Sequence, residues 1–268
     1  MTFSRVVCAI EVGTQGAVVA RQAIALAPPG VPVVLVGAVD LEAAERAMQP
    51  MSGEMDTGQL MAPIPAAAAE VLMDSIRGDV EAVRAALSDI ADVTTSVVEG
   101  PLIVAMQEAA GEDPGVLLAL DAPHERRALG MIGGEPATWL LHETSQPVFL
   151  ARTSSRPELF PRTIAVGYDG GDASTAAVRA AGAIAALRGA DLRVIIAKGG
   201  PDDGIGALAD GLPAHEVVHD RHNPVHALSD ADADLIVVGS RGLHGLRALG
   251  SVSERVAHRA HASVLVVR

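Results

Sequence analysis

Cysteine occurs once, at Cys8, so no intrachain disulfide can form. It sits inside the apolar run Val6–Ile10 and reads as a small core residue rather than a reactive thiol. Aromatics are equally scarce, with one Trp, one Tyr and three Phe in 268 residues, so the core has to be built from Val, Ile, Leu and Ala. Lysine occurs once, at Lys198, and the other basic side chains are arginines. A formal charge of −13 argues against a general nucleic-acid binder, which would carry a basic stripe. The residues ahead of Val6 are too few for a signal sequence, and the first apolar run is too short to span a bilayer. What is present is 49% apolar and 20% charged, the balance of a folded chain rather than a disordered one. The expectation is a globular protein of a reducing cytoplasm, without a membrane or nucleic-acid partner.

The chain repeats itself. Residues 5–24 run in step with 163–182: Val6 to Glu11 match Ile164 to Asp169, Gly13 matches Gly171 and Arg21 matches Arg179. Near the ends, Val116 to Leu120 parallel Leu235 to Val238, His142 parallels His258, and Pro147 to Leu150 parallel Ser263 to Val266. A repeat of this kind sets the architecture. Strands are expected near 5–11, 32–37, 93–98, 116–120 and 147–151, then near 163–168, 192–197, 215–219, 235–239 and 263–267. Helices are expected near 16–27, 66–90, 101–110 and 135–144, then near 174–188, 224–231 and 251–261. Alternating strands and helices predict an α/β fold of two doubly wound, Rossmann-like parallel-sheet domains. Residues 1–152 form the first, 163–268 the second, and 153–162 a linker marked by Pro157 and Pro161. A long connection with Met48, Pro50, Met51, Met55, Met61, Pro63 and Pro65 reads as a surface loop of the first copy. The second copy has only Gly204 to Leu212 between its second and third strands.

One stretch carries chemistry. Asp234 to Val238 is a strand-length apolar run, followed by Gly239-Ser240-Arg241-Gly242 and then Gly250-Ser251-Val252-Ser253-Glu254-Arg255. Ser251 is a good helix N-cap, and Glu254 three residues on suits a capping box. Strand, glycine loop and helix start together make an anion site, because backbone N–H groups converge there and the helix dipole favours negative charge. The other reading stays open: glycines that supply backbone freedom and a serine that only caps.

The spacing Gly239-x2-Gly242, a variable loop, then Gly250-Ser251 resembles the nucleotide loop of the universal stress proteins, G-x2-G-x9-G-[ST]. Seven residues separate Gly242 from Gly250 here, two fewer than in that pattern. The tail from Ser253 to Ala260 and Ser263 to Val267 is similar to the closing helix and last strand of the same family. The resemblance implies a tandem protein that binds ATP or another adenine nucleotide, with Mg as companion ion, and has a regulatory role in stress response. It places Asp169 and Ala197 at the adenosine, and Gly239, Arg241, Gly242, Gly250, Ser251, Val252 and Ser253 around the phosphates. For Asp169 a purely local turn-forming role stands beside this one. The family's last strands pair edge to edge in dimers, which implies an intrachain pseudo-dimer of the two copies and leaves a homodimer open. The alternative is a nucleotide-free interaction module of the same family.

In the first copy Asp121, His124 and Gly134-Glu135 fall where the pattern has its glycines and Gly-Ser. Carboxylates at Asp121, Glu125 and Glu135 would repel phosphate, so this copy is expected to be a nucleotide-free partner. Catalysis is not expected as the main role, since no general base is placed in either loop, although slow ATP hydrolysis is left open. His215-Glu216-Val217-Val218-His219 spells a zinc-protease signature, but that chemistry needs a helix and this segment occupies a strand slot. Asp169 to Ser174 is similar to the loop of ATP pyrophosphatases only in part, with the acid and serine out of register. His142 and His258 read as a shared packing or solvent position rather than a base, and Asn223-Pro224 as an N-cap with proline at the first helical position, with Gly100-Pro101 as its counterpart.

Overall fold

The fold comes from a computed structural model, which describes residues 3–12, 15–47, 64–122, 136–152, 159–200, 204–240 and 251–268. Ten strands alternate with nine helices among these residues: β1 (Arg5–Ile10), α1 (Gly16–Ala25), β2 (Val33–Val39), α2 (Leu41–Ala47), α3 (Ala66–Leu87), β3 (Val93–Glu99), α4 (Leu102–Ala110), β4 (Val116–Asp121), α5 (Pro136–Glu143) and β5 (Val148–Ala151) come first. Then follow β6 (Thr163–Gly167), α6 (Asp172–Arg188), β7 (Asp191–Ile196), α7 (Ile205–Ala209), β8 (His215–His219), α8 (Pro224–Ser229), β9 (Leu235–Gly239), α9 (Val252–Arg259) and β10 (Ser263–Val267).

The strands form one sheet in the order β3-β2-β1-β4-β5-β10-β9-β6-β7-β8. Every pairing is parallel except β5 with β10. The central strands are buried along almost their whole length, as the uninterrupted runs Val116–Leu120, Leu235–Val238 and Ser263–Val267 require. α1, α3 and α6 pack on one face, and α4, α5, α8 and α9 on the other, giving three layers. Alanines 177, 180, 181 and 185 of α6 are all buried, so this helix lies against the sheet with little bulk between. Few aromatics means close layers. Cys8 lies at zero exposure on the α1 face, and burial pushes its thiol up to about 12.

The junction of β5 and β10 has an internal two-fold relation. Val148 pairs through Leu150 with the other strand as Val264 does through Val266, an offset of 116 residues (264 − 148), with Phe149 opposite Leu265 at the centre. The side-chain bonds follow the same rule. Arg152 donates to the carbonyl of Ala257 at 2.7 Å, and Arg268 to that of Leu141 at 2.6 Å, each capping the last helix of the opposite half. Gln22, fully buried, breaks the symmetry: its amide donates to Arg152 O at 2.9 Å and accepts from Ser263 Oγ at 3.0 Å.

Two helices were not expected from the sequence. α2 follows β2 with Asp40 accepting from the Ala43 N–H, a cap easily overlooked beside the glycine- and methionine-rich run after it. α7 is a five-residue remnant where the first half has the 22-residue α3. α4 begins at Leu102 with Pro101 as its N-cap, one residue later than read, whereas Asn223 caps α8 by accepting from His226 N at 3.1 Å with Pro224 in the first turn. The methionine-bearing connection 48–63 and linker residues 153–158 lie outside the described residues.

Candidate functional site

β1 in one half, and β6 in the other, stand between strands that wind away in opposite directions, which is where open α/β sheets bind ligands. In the C-terminal half the cleft is built from three strand ends. After β6 the chain turns through Asp169, whose Oδ1 accepts from Gly171 N at 3.0 Å. Ser174 Oγ donates to Gly171 O at 2.9 Å and accepts from Asp169 N at 3.3 Å, so the loop is braced by its own side chains. The local role of Asp169 is therefore met, and the same residue also lines the cleft.

At the end of β7, Gly200 N donates to Ala197 O at 2.9 Å across a tight turn, and Gly199 takes φ +79, a left-handed conformation that suits glycine. Lys198 N donates to His222 O at 3.1 Å, tying this turn to the segment before α8, while the Lys198 side chain is exposed at the cleft. At the end of β9, a Cβ on Gly239 would lie 2.2 Å from Ala173 O and 2.3 Å from its carbonyl carbon. The first turn of α6 presses directly on β9 here. Glycine at 239 is thus demanded by packing alone, whatever the cleft holds.

α9 opens as the sequence indicates: Ser251 is the N-cap and accepts from Glu254 N at 3.2 Å. Its hydroxyl lies 3.2 Å from that of Ser253, which is buried. The Glu254 carboxylate, the other half of a capping box, stands with Oε1 3.3 Å from His142 Nε2 of α5.

These elements line two adjoining cavities of about 270 and 280 Å³, each just under the range of small-molecule sites, ~300–1,000 Å³, and within it when taken together. Asp169, Gly239 and Val252 belong to both walls. The first cavity adds Tyr168, Ala197, Lys198 and Leu228 and is the more apolar; the second adds Ser240, Ser251, Ser253 and Glu254, with Leu141 and His142 from α5. Six of the nine residues expected at a site, Asp169, Ala197, Gly239, Ser251, Val252 and Ser253, thus meet at one cleft. Arg241, Gly242 and Gly250 lie outside the described residues, as do Gly13, His124, Glu125, Arg126, Arg127, Gly134 and Glu135 of the first copy.

Sequence reasoning passed over Tyr168, Lys198 and His142. Lys198 had a signal, being the chain's one lysine next to Ala197. His142 and His258 share a reason for recurring that the sequence could not show: each reaches across the two-fold relation, His142 to Glu254 and His258 to Thr138 Oγ1 at 3.1 Å. They are cross-half contacts rather than simple packing positions. Arg268 also bears on the cleft, donating to Ser240 Oγ at 2.9 Å, and burial lowers its guanidinium below its ordinary value.

In the N-terminal half the residue in register with Gly239 is Asp121: Asp121 pairs with Ala151 as Gly239 pairs with Val267. Burial lowers the Arg152 guanidinium below its ordinary value, and the charge of Asp121 offsets part of that. The zinc-type signature lies in β8, an extended strand, so His215 and His219 stand roughly 13 Å apart at ~3.3 Å per residue. Among the described residues no group of three or more His, Cys, Asp or Glu is placed to hold a metal, and no helix is long and apolar enough to cross a membrane.

Residues 207–268 match the model of the Universal stress protein family. A universal stress protein of Mycobacterium tuberculosis strain H37Rv is 36% identical over 142 residues, covering 40% of this chain and 95% of the relative. A universal stress protein from Archaeoglobus fulgidus DSM 4304 shares the fold along 99% of this chain and 97% of its own, with a TM-score of 0.73 at 16% identity. Another universal stress protein, solved in complex with cAMP, is 37% identical over 40% of this chain and 97% of its own, with a TM-score of 0.35. The mostly parallel sheet, its cleft at the strand ends and these likenesses agree: the chain belongs to the universal stress protein family.

Proposed function

We propose that the C-terminal half binds an adenine nucleotide, ATP in the first instance, and that the protein serves a regulatory role in stress response. The observation that carries this reading is the meeting of Asp169, Ala197, Gly239, Ser251, Val252 and Ser253, from four separate segments, around two joined cavities. Their chemistry is graded in the right sense. The apolar cavity by Ala197 and Leu228 suits a base, and Asp169 at the junction suits ribose hydroxyls. The serine hydroxyls and first amides of α9 suit phosphate oxygens. Arg241, Gly242 and Gly250 would extend that phosphate side. Asp169 is a carboxylate within reach of a phosphate-bound Mg, which binds through one or two carboxylates plus phosphate.

We assign residues 1–152 to a nucleotide-free partner domain and 163–268 to the binding domain, joined by the linker 153–162. We further propose that the antiparallel β5–β10 pairing joins them as an intrachain pseudo-dimer, and that the protein works in a reducing cytoplasm. Isothermal calorimetry with ATP, ADP, AMP, cAMP and adenosine on the whole chain tests the reading. One site per chain is expected; heat for none of the five would discard it. The competing reading, a nucleotide-free interaction module, draws on one fact: Gly239 and Asp169 are both accounted for by local packing and turn bonds. The same titration separates the two.

A further inference from the structure

α5 belongs to the N-terminal half of the sheet, yet its end walls a cavity of the other half. Leu141 and His142 face Ser251, Ser253 and Glu254 across the second cavity. That end of α5 is held in place, since Arg268 donates to Leu141 O at 2.6 Å and the His142 ring stands at ion-pair distance from Glu254. The contact is an ion pair when His142 is protonated, and both side chains are 12% exposed, so solvent then screens them little.

Glu254 lies in the first turn of α9, where the helix dipole favours an acid. The same position puts a carboxylate on the wall that phosphate oxygens would approach, and like charges a few Å apart repel. The internal two-fold relation shows that this acid is peculiar to one side. By the 116-residue offset, His142 corresponds to His258 and Glu254 to Thr138. The mirror contact, His258 with Thr138 at 3.1 Å, carries no carboxylate. Histidine stands on both sides, and at the equivalent helix position it meets Glu254 on one side and Thr138 on the other.

We infer that His142 is a positioning residue of the nucleotide site: from the opposite half of the chain it holds the Glu254 carboxylate and shields bound phosphates from it. The phosphate side is then composite, completed by the half that binds no nucleotide. This rests on the adenine-nucleotide reading above.

Calorimetry with ATP and with adenosine on the intact chain tests it. His142→Ala is expected to weaken ATP about tenfold while adenosine changes by less than about twofold, and His142→Ala/Glu254→Gln to return ATP to within about threefold of the starting protein. His142→Gln, which keeps a donor and most of the volume, carries the test should the alanine variant fail to fold; a selective ATP loss is expected there too. Equal losses for ATP and adenosine, unchanged ATP binding, or no recovery in the double variant would overturn the inference while leaving the nucleotide reading intact. An unaltered chain that takes up neither ligand overturns the nucleotide reading, and this inference falls with it.

Discussion

Asp121 and Gly239 end equivalent strands of the two halves, one residue beyond the same buried run, and they end them in opposite ways, one with a carboxylate and one with no side chain. At Gly239 the first turn of α6 rests on the strand so closely that no Cβ fits. At Asp121 the side chain is present, and the local helix has a different beginning: Gln15 is the N-cap of α1, where its counterpart Ala173 is already inside α6. A single position therefore separates a strand end closed to any side chain from one that carries a carboxylate. Duplication preserved the sheet and let the strand ends diverge, because the buried runs answer to the whole core and the ends only to their own loops.

Making the halves alike is the hardest way to break this comparison. Gly239→Asp forces a side chain into the Ala173 carbonyl and adds a charge to the cleft, and is expected to cost about 3 kcal/mol or more while abolishing ATP heat. Urea unfolding and calorimetry check both, and wild-type stability would show that α6 can move away from β9. The paired arginines give a finer test. Arg152→Met removes the donor to the Ala257 and Ala262 carbonyls and the cation on which Asp121 acts, and should cost about 3 kcal/mol; Arg268→Met loses carbonyl and Ser240 contacts alone and should cost roughly half that. Equal costs in urea titrations would mean that Asp121 adds nothing to the asymmetry.

Smallest is an effect that the halves should share. The bond from Ser4 Oγ, then that from Gly115 N, hold Asp113 below the usual carboxylate value; the bond from His222 N, then the His222 ring, do the same for Asp220. In each case the unfolded chain binds the proton more readily. Their stabilisation is therefore complete above about pH 4, near the unfolded value, and is lost as pH falls through the folded one. Asp113→Asn and Asp220→Asn should each make stability slightly less sensitive to acid below about pH 4, read by thermal melting as pH is lowered. A large difference between the two would mean that the halves differ outside their clefts as well.

Most strand positions were legible because each strand is a short apolar run between turn residues, and β8, β9 and β10 match their expected limits. The Ser251 and Asn223 caps were legible for the same reason: the bond is local and needs only the right residue three positions before its donor. α2 and α7 were missed since neither shows a full period of apolar residues. Asp169 could not be divided between turn and site from sequence; the structure shows the turn bond and puts the residue on the cleft wall as well.

The sequence by itself determined the duplicated α/β fold and the contrast between a glycine end and an acidic one, because period and turn chemistry act over a few residues. Only the tertiary structure decided why Gly239 must be glycine, and that His142 stands against Glu254. Those facts depend on which helix each strand end meets, and residues 142 and 254 become neighbours only when β5 and β10 pair.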